Sequence, residues 1–244
     1  MADAVTSQKL LDTETRTVYK FTNVSDGGGE SDVKKIDLSQ LTWAVHTMTL
    51  SAASTENFKI GEVITTDATE HFLVTGFTAG ASTVDVVGWD NTNKKATPIL
   101  TSMSAGDAIV GGVSGNHTET VANSGDFTEK DYDVLVNKIQ WICNGMSVNV
   151  EWDGSTSESI IACLNGNGLY NGNNLEFPAI PINASGDSGG VLGDIQFSTV
   201  GASSGDTYTI WIELSKQPAG YDVPNYEHNT QLGYPVDYTL GNRP

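Results

Sequence analysis

The chain has 244 residues, with 30 acidic against 12 basic side chains and a net charge of −18. That balance excludes a nucleic-acid binder that works by neutralising phosphates, and it repels anionic membranes. Charged residues make up 17%, below the ~25% of an average globular protein, Gly is abundant at 26, and helix-forming runs are almost absent, so short strands joined by many turns are expected.

Residues 1–11, "MADAVTSQKLL", carry no apolar stretch of signal-peptide length, and no segment approaches the ~18 apolar residues of a membrane span. Synthesis in a cytoplasm without export by the usual route is the expectation. In "RTVYKFTNV" Tyr19 and Phe21 alternate with Lys20 and Thr22, the period of a half-buried strand. "DGGGE" turns the chain and "SDVKKIDLS" returns, which reads as a hairpin or an edge connection.

Residues 44–130 form a block of their own. The runs "HTMTLS", "EVITT", "HFLVTG", "STVDVVGW" and "DAIVGGV" are short and turn-separated, the spacing of a small barrel or compact β-domain inserted into a loop of the main body. From residue 133 a second group begins. "VLVNKIQWIC" leads through Asn144-Gly145, a strong hairpin signal, into "MSVNVEW". There Met146, Val148, Val150 and Trp152 share one face, and Ser147, Asn149 and Glu151 the other. In "DTYTIWIEL" Tyr208, Ile210, Ile212 and Leu214 likewise share a face. One face buried and one wet is the pattern of an antiparallel sandwich. The expected fold is all-β: an antiparallel jelly-roll-like sandwich from residues 1–43 and 131–216, a small barrel-like domain inserted at 44–130, and an extended arm at 217–244. In that arm Pro keeps the chain extended, and Tyr offers amphipathic rings suited to interfaces. Tyr221, Pro224, Tyr226, Tyr234, Pro235 and Tyr238 are the expected partner-contact residues.

"GDSGG" around Ser188 spells the nucleophile pentapeptide of trypsin-like proteases, and "IVGG" at residues 109–112 resembles their mature N-terminus. His46, then Asp85 or Asp90, then Ser188 even follow the family's chain order. The contexts fail. His46 sits in "WAVHTMT", the "IVGG" follows the histidine, and Val191 stands where proline is usual. A turn in a chain rich in Gly, Ser and Asp explains the motif, and no catalytic residue is assigned. His46, His71, His117 and His228 are scattered, so no metal site is expected. "NGNGLYNGNN" at residues 165–174 lacks the carboxylates calcium prefers and reads as a flexible loop. No cofactor is expected. Trp89 and Trp211 are a possible sugar platform, with packing the commoner fate of such rings. Cys143 and Cys163 lie in apolar runs and read as buried thiols. A reducing compartment disfavours a disulfide.

"VYKFTNVSDGGGESDVKKIDLS" (18–39), "KIQWICNGMSVNVEWDGSTSESI" (138–160) and "GDIQFSTVGASSGDTYTIWIELSK" (193–216) together resemble small virion structural proteins of tailed phages, especially those of marine cyanobacteria. The resemblance covers residues 16–39 and 134–216. It implies a non-enzymatic part of a virus particle, made in the bacterial cytoplasm and carried in the virion. The leading expectation is a capsid decoration or cement protein, a homo-oligomer with a trimer favoured, bound to the major capsid protein or other virion proteins. It would contact neither nucleic acid nor membrane. The alternative is a tail, neck or fibre-knob component that touches the host. A hydrolase built on Ser188 is the remote third.

Overall fold

A computed structural model describes residues 3–54, 58–66, 70–99, 105–122, 128–129, 134–154, 159–171 and 194–216. The fold is all-β: the described residues form seventeen strands and one 3-10 turn at Leu38–Gln40, and the described strands pair antiparallel. No helix among the described residues is long and apolar enough to cross a membrane. The described chain divides into two compact units. Residues up to 38 and from 134 to 216 form the first, residues 39 to 129 the second. The division thus falls at residue 38, ahead of the 43 expected from the sequence.

Unit 1 holds two sheets. The five-stranded sheet runs β1 (Ala4–Asp12), β2 (Arg16–Val24), β17 (Thr207–Lys216), β12 (Val134–Asn144), β15 (Asn167–Asn171). The four-stranded sheet runs β14 (Ser159–Leu164), β13 (Ser147–Trp152), β16 (Ile195–Val200), β3 (Val33–Ile36). Alternation decides which residues lie between them: Tyr19 and Phe21 from β2, Val148, Val150 and Trp152 from β13, and Tyr208, Ile210, Ile212 and Leu214 from β17 are all buried. Rings join the layers. Phe197 of β16 meets Phe21 edge-on at 5.2 Å and Tyr208 at 6.0 Å, the geometry aromatic quadrupoles favour. This is a β-sandwich.

The hairpin expected at Asn144-Gly145 is not one, and of the hairpin or edge connection expected between β2 and β3 the structure holds the edge connection. β12 and β13 flank Asn144-Gly145, yet β12 pairs with β17 and β15, while β13 pairs with β14 and β16. The glycine takes φ +85°, but the turn carries the chain from one sheet to the other. A Cβ at Gly145 would meet the Asp206 carboxylate at 1.9 Å, so glycine here admits a side chain that packs the turn. β2 and β3 likewise belong to different sheets, and β3 is an edge strand. The glycine-rich stretch between them does not reverse a hairpin. It delivers Glu30 into the interior, where its carboxylate accepts from Lys35 Nζ at 2.6 Å and from the Tyr208 hydroxyl at 2.7 Å. Burial first, then the Glu30 charge, push the Tyr208 phenol well above its ordinary value.

The 165–174 stretch, expected as a loop, supplies β15 over its described residues. Gly168 faces Trp141 so closely that a Cβ would lie 2.2 Å from the indole. Only glycine lets this strand approach β12.

Unit 2 contains an eight-stranded sheet ordered β10 (Gly115–Thr120), β9 (Ala108–Gly111), β5 (Val63–Thr66), β6 (Glu70–Phe77), β7 (Thr83–Asp90), β4 (His46–Thr49), β11 (Thr128–Glu129), with β8 (Lys95–Thr97) on β7. Just past β4 and β10, Leu50 pairs with Val121, and backbone bonds Ser51 N to Thr120 O and Ala122 N to Thr49 O tie the chain after β4 to β10 and the chain after it. Met48, Phe58, Ile64, Phe72, Val74, Val84, Val86 and Ile109 fill its core.

Candidate binding surface

The arm residues expected to contact a partner, Tyr221, Pro224, Tyr226, Tyr234, Pro235 and Tyr238, lie outside the described residues, as does Ser188. His46 and the two carboxylates proposed beside it are described. His46 sits opposite Val86 in the β4–β7 register and is buried, whereas Asp85 sits opposite Thr47. Successive strand residues point to opposite faces, so His46 and Asp85 are on opposite sides of the sheet. Asp85 accepts from the Thr47 hydroxyl at 2.8 Å. Asp90 closes its own turn by accepting from Asn93 Nδ2 at 2.6 Å and from the Asn93 and Thr92 backbone N–H groups, and those bonds, the Asn93 side chain's first, lower its carboxyl pKa. Neither carboxylate is placed as the orienting member of a triad on His46.

The five-stranded sheet turns its other face outward, and the register lays that face out in rows. One row is Leu169, Gln140, Trp211, Lys20 and Gln8, from β15, β12, β17, β2 and β1. The next is Asn171, Lys138, Glu213, Val18 and Leu11. Between them Val18, Lys138, Gln140, Trp211, Ile212 and Glu213 line a shallow hollow of about 160 Å³. The Lys20 ammonium stands 5.6 Å from the centre of the Trp211 ring, a cation–π distance. On the same outward face Ile142 is 54% exposed and Leu169 59%. Large apolar side chains grouped with a tryptophan on one face mark a contact surface more than scattered ones do.

Charge sharpens the picture. Lys9, Arg16, Lys34, Lys35 and Lys216 of unit 1 are each within 4 Å of a carboxylate. Lys216 is fully buried on Asp12 at 2.7 Å and also donates to the Thr13 carbonyl. Burial lowers its pKa, against the pull of Asp12. The remaining described basic residues of the unit, Lys20 and Lys138, both stand on the Trp211 face. On a chain of net charge −18, that face presents cationic groups together with apolar area.

Sequence reasoning missed a second constellation, in unit 2. Glu62 is buried and accepts from the backbone N–H of Lys59 at 2.6 Å, Val113 at 3.0 Å and Ser114 at 2.9 Å. The Ser114 hydroxyl lies 2.8 Å from the same carboxylate and 2.7 Å from His117 Nε2. A hydroxyl has one proton and an ionised carboxylate none. Ser114 therefore donates to Glu62 and accepts from His117, whose ring stacks on Phe58 at 3.8 Å. In a nucleophilic serine site the carboxylate orients the histidine. Here it holds the serine and the hairpin turn around it. Burial pushes the Glu62 pKa up, but the backbone and hydroxyl donors outweigh it and leave it below its ordinary value. The signal available in the sequence is the Gly-Gly-Val-Ser-Gly turn at 111–115, which overlaps both the "DAIVGGV" strand run and the "IVGG" motif.

Trp89 and Trp211 belong to different units, and Trp89 packs edge-on against Trp43 at 6.3 Å. Cys163 is exposed and Cys143 buried, and both are free thiols. The expectation of two buried thiols fails for Cys163, because it lies on β14, an edge strand of the four-stranded sheet. No protein-family model matches the chain, and no curated protein matches it.

Proposed function

We propose that this chain is a non-enzymatic structural protein of a phage virion, a capsid decoration or cement protein that binds its neighbours in the shell by surface complementarity. The observation that carries the reading is strand order. With β1 set aside, the described sandwich strands numbered one to eight along the chain stand 1-8-3-6 in one sheet and 5-4-7-2 in the other. That order supports reading the sandwich as a jelly roll, an architecture recurrent in viral capsid domains. Unit 2 enters between the second and third of these strands, as an insertion would. The tie between Leu50 and Val121 supports reading it as a small barrel. The resemblance of the 16–39 and 134–216 runs to virion proteins points the same way.

Jelly rolls also serve lectins and cupins, so the surface must carry the rest of the case. The Trp211 face combines an aromatic anchor, exposed aliphatic side chains and two lysines, the composition of a contact surface for an acidic or mixed partner such as a capsid subunit. One such contact is weak after association costs, and repeated attachment through an oligomer raises the effective concentration. The test is electron microscopy of particles carrying a tagged copy. Density over the whole shell supports decoration, and density at a single vertex supports the tail or neck alternative instead. Particles loaded with a Trp211→Ala chain should show reduced occupancy at unchanged melting temperature. Full occupancy would remove this face from the argument. A truncation meant to test the arm must begin after Lys216, because Lys216 belongs to the sandwich through Asp12.

A further inference from the structure

We infer that β1 is a self-pairing edge, and that two copies of this chain join their five-stranded sheets through it about a two-fold axis centred on Thr6. Among the described residues β1 ends its sheet and pairs only with β2. Ala4 to Leu10 are exposed on both faces, so this strand extends the sheet past the cover of the opposing layer. Its free side can be derived. In an antiparallel ladder the N–H and C=O of one residue point to the same side. Ser25 N bonds Asp206 O and Lys216 N bonds Thr15 O, so the odd residues of β2 face β17 and the even ones face β1. Thr13 N bonding Arg16 O agrees. Opposite the even residues Val24, Thr22 and Lys20 stand Ala4, Thr6 and Gln8. The backbone groups of Val5, Ser7 and Lys9 are therefore the ones directed at the free edge.

Proteins usually blunt such an edge with proline, inward-pointing charge or a bulge. β1 has its bulge only at Lys9–Leu11, and Ala4 to Gln8 carry no proline, glycine or charge. A continuous sheet requires residues of like parity to face each other across the axis. The pairing centred on Thr6 meets that rule. It sets Val5 against Ser7 twice, giving four backbone hydrogen bonds, and it sets Asp3 against Lys9 at both ends. The termini of the pairing thus carry opposite charges, which selects this register on a body otherwise repelled by its own charge. Lys9 now bonds Asp12, and Asp3 bonds Asn23 and the Asp26 N–H. Asp12 belongs to β1 itself, and Asn23 and Asp26 belong to β2 and the turn after it. A two-fold joint gives a dimer where the sequence reading expects a trimer, and it stands independently of any role in a virion.

The test is sedimentation velocity on the full chain with three variants. Ser7→Pro deletes an N–H that β2 does not use, and proline is tolerated at such an edge position. It should weaken the dimer about thirtyfold, the equivalent of two lost backbone bonds, at an unchanged melting temperature. Lys9→Glu should weaken it as well, and adding Asp3→Lys to Lys9→Glu should restore it. Should Ser7→Pro fail to fold, the charge pair decides alone. A chain that stays monomeric at every concentration, a trimer, or a dimer indifferent to the charge reversal overturns the inference.

Discussion

Removing the Glu62 carboxylate should unlatch the β9–β10 hairpin. Glu62 sits at the start of β5's approach and reaches the turn after β9, where the N–H groups of Val113 and Ser114 and the Ser114 hydroxyl converge on it. Lys59 N donates from the other side at 2.6 Å. Glu62→Ala leaves three backbone donors and one hydroxyl without this acceptor. Each buried unpaired group costs about 1–3 kcal/mol, and exposure of the turn itself, with Val113 74% exposed, places the Val113 and Ser114 terms at the low end. The sum is about 3–4 kcal/mol, large for a single substitution. Glu62→Gln should cost about half of that, because its carbonyl still serves one donor group while its NH₂ opposes another. The readout is hydrogen exchange over residues 108–120 together with urea unfolding. The acid limb gives an independent sign. The folded Glu62 pKa is depressed below 4.5, so the stability it contributes is complete above that value. It is lost as pH falls through the lower folded value. Glu62→Gln should flatten that part of the pH profile. If Glu62→Ala leaves the exchange of the 111–115 amides and the urea midpoint as they were, the carboxylate is not the clasp.

Two further outcomes follow from close contacts and exposure. Gly168→Ala drives a methyl into the Trp141 indole and should lower stability by about 1–3 kcal/mol, read as a drop in melting temperature with faster exchange in β15. An aromatic disulfide reagent should titrate one thiol of the native chain and two after denaturation. Cys163 is exposed, whereas burial pushes the Cys143 thiol up to about 11 and keeps it protonated. Two fast thiols in the native state would contradict the packing of β12.

Strand existence was legible wherever one face is buried and the other wet. The alternation in β2, β13 and β17 marked Phe21, Val150 and Ile212 as core, and each is at 0% exposure. β1 and β15 were not legible. β1 buries neither face, so its residues carry no period, and β15 hides its alternation behind asparagines and a glycine that Trp141 requires. Pairing was less legible than existence. An Asn-Gly turn with positive φ suits a hairpin and a sheet-to-sheet crossing equally, and the side chain that Gly145 makes room for, Asp206, lies 61 residues away in the chain. The Glu62 clasp has the same character. Its donors at 113 and 114 are brought to residue 62 by the β5–β9 pairing, and nothing local to "KIGEVITT" announces a carboxylate that will be buried.

The distribution of charge joins these threads. A glutamate delivered inward by a glycine loop, an aspartate under a fully buried lysine, and Asp194 bridged to Lys34 at 2.5 Å use the basic side chains of unit 1 to hold its loops and edges. Such pairs fix geometry more than they add stability, since desolvation offsets most of their attraction. Asp194 shows the cost directly: burial raises its carboxyl pKa despite Lys34 and the Leu38 N–H. With Lys35 and Lys216 buried and Lys9, Arg16 and Lys34 each beside a carboxylate, Lys20 and Lys138 are the described basic residues of the unit left to the Trp211 face. Recognition at that face is therefore set by where positive charge was left over as much as by where the tryptophan stands. Exchanging both lysines for glutamate should abolish binding to an acidic partner while leaving attachment through purely apolar contact intact.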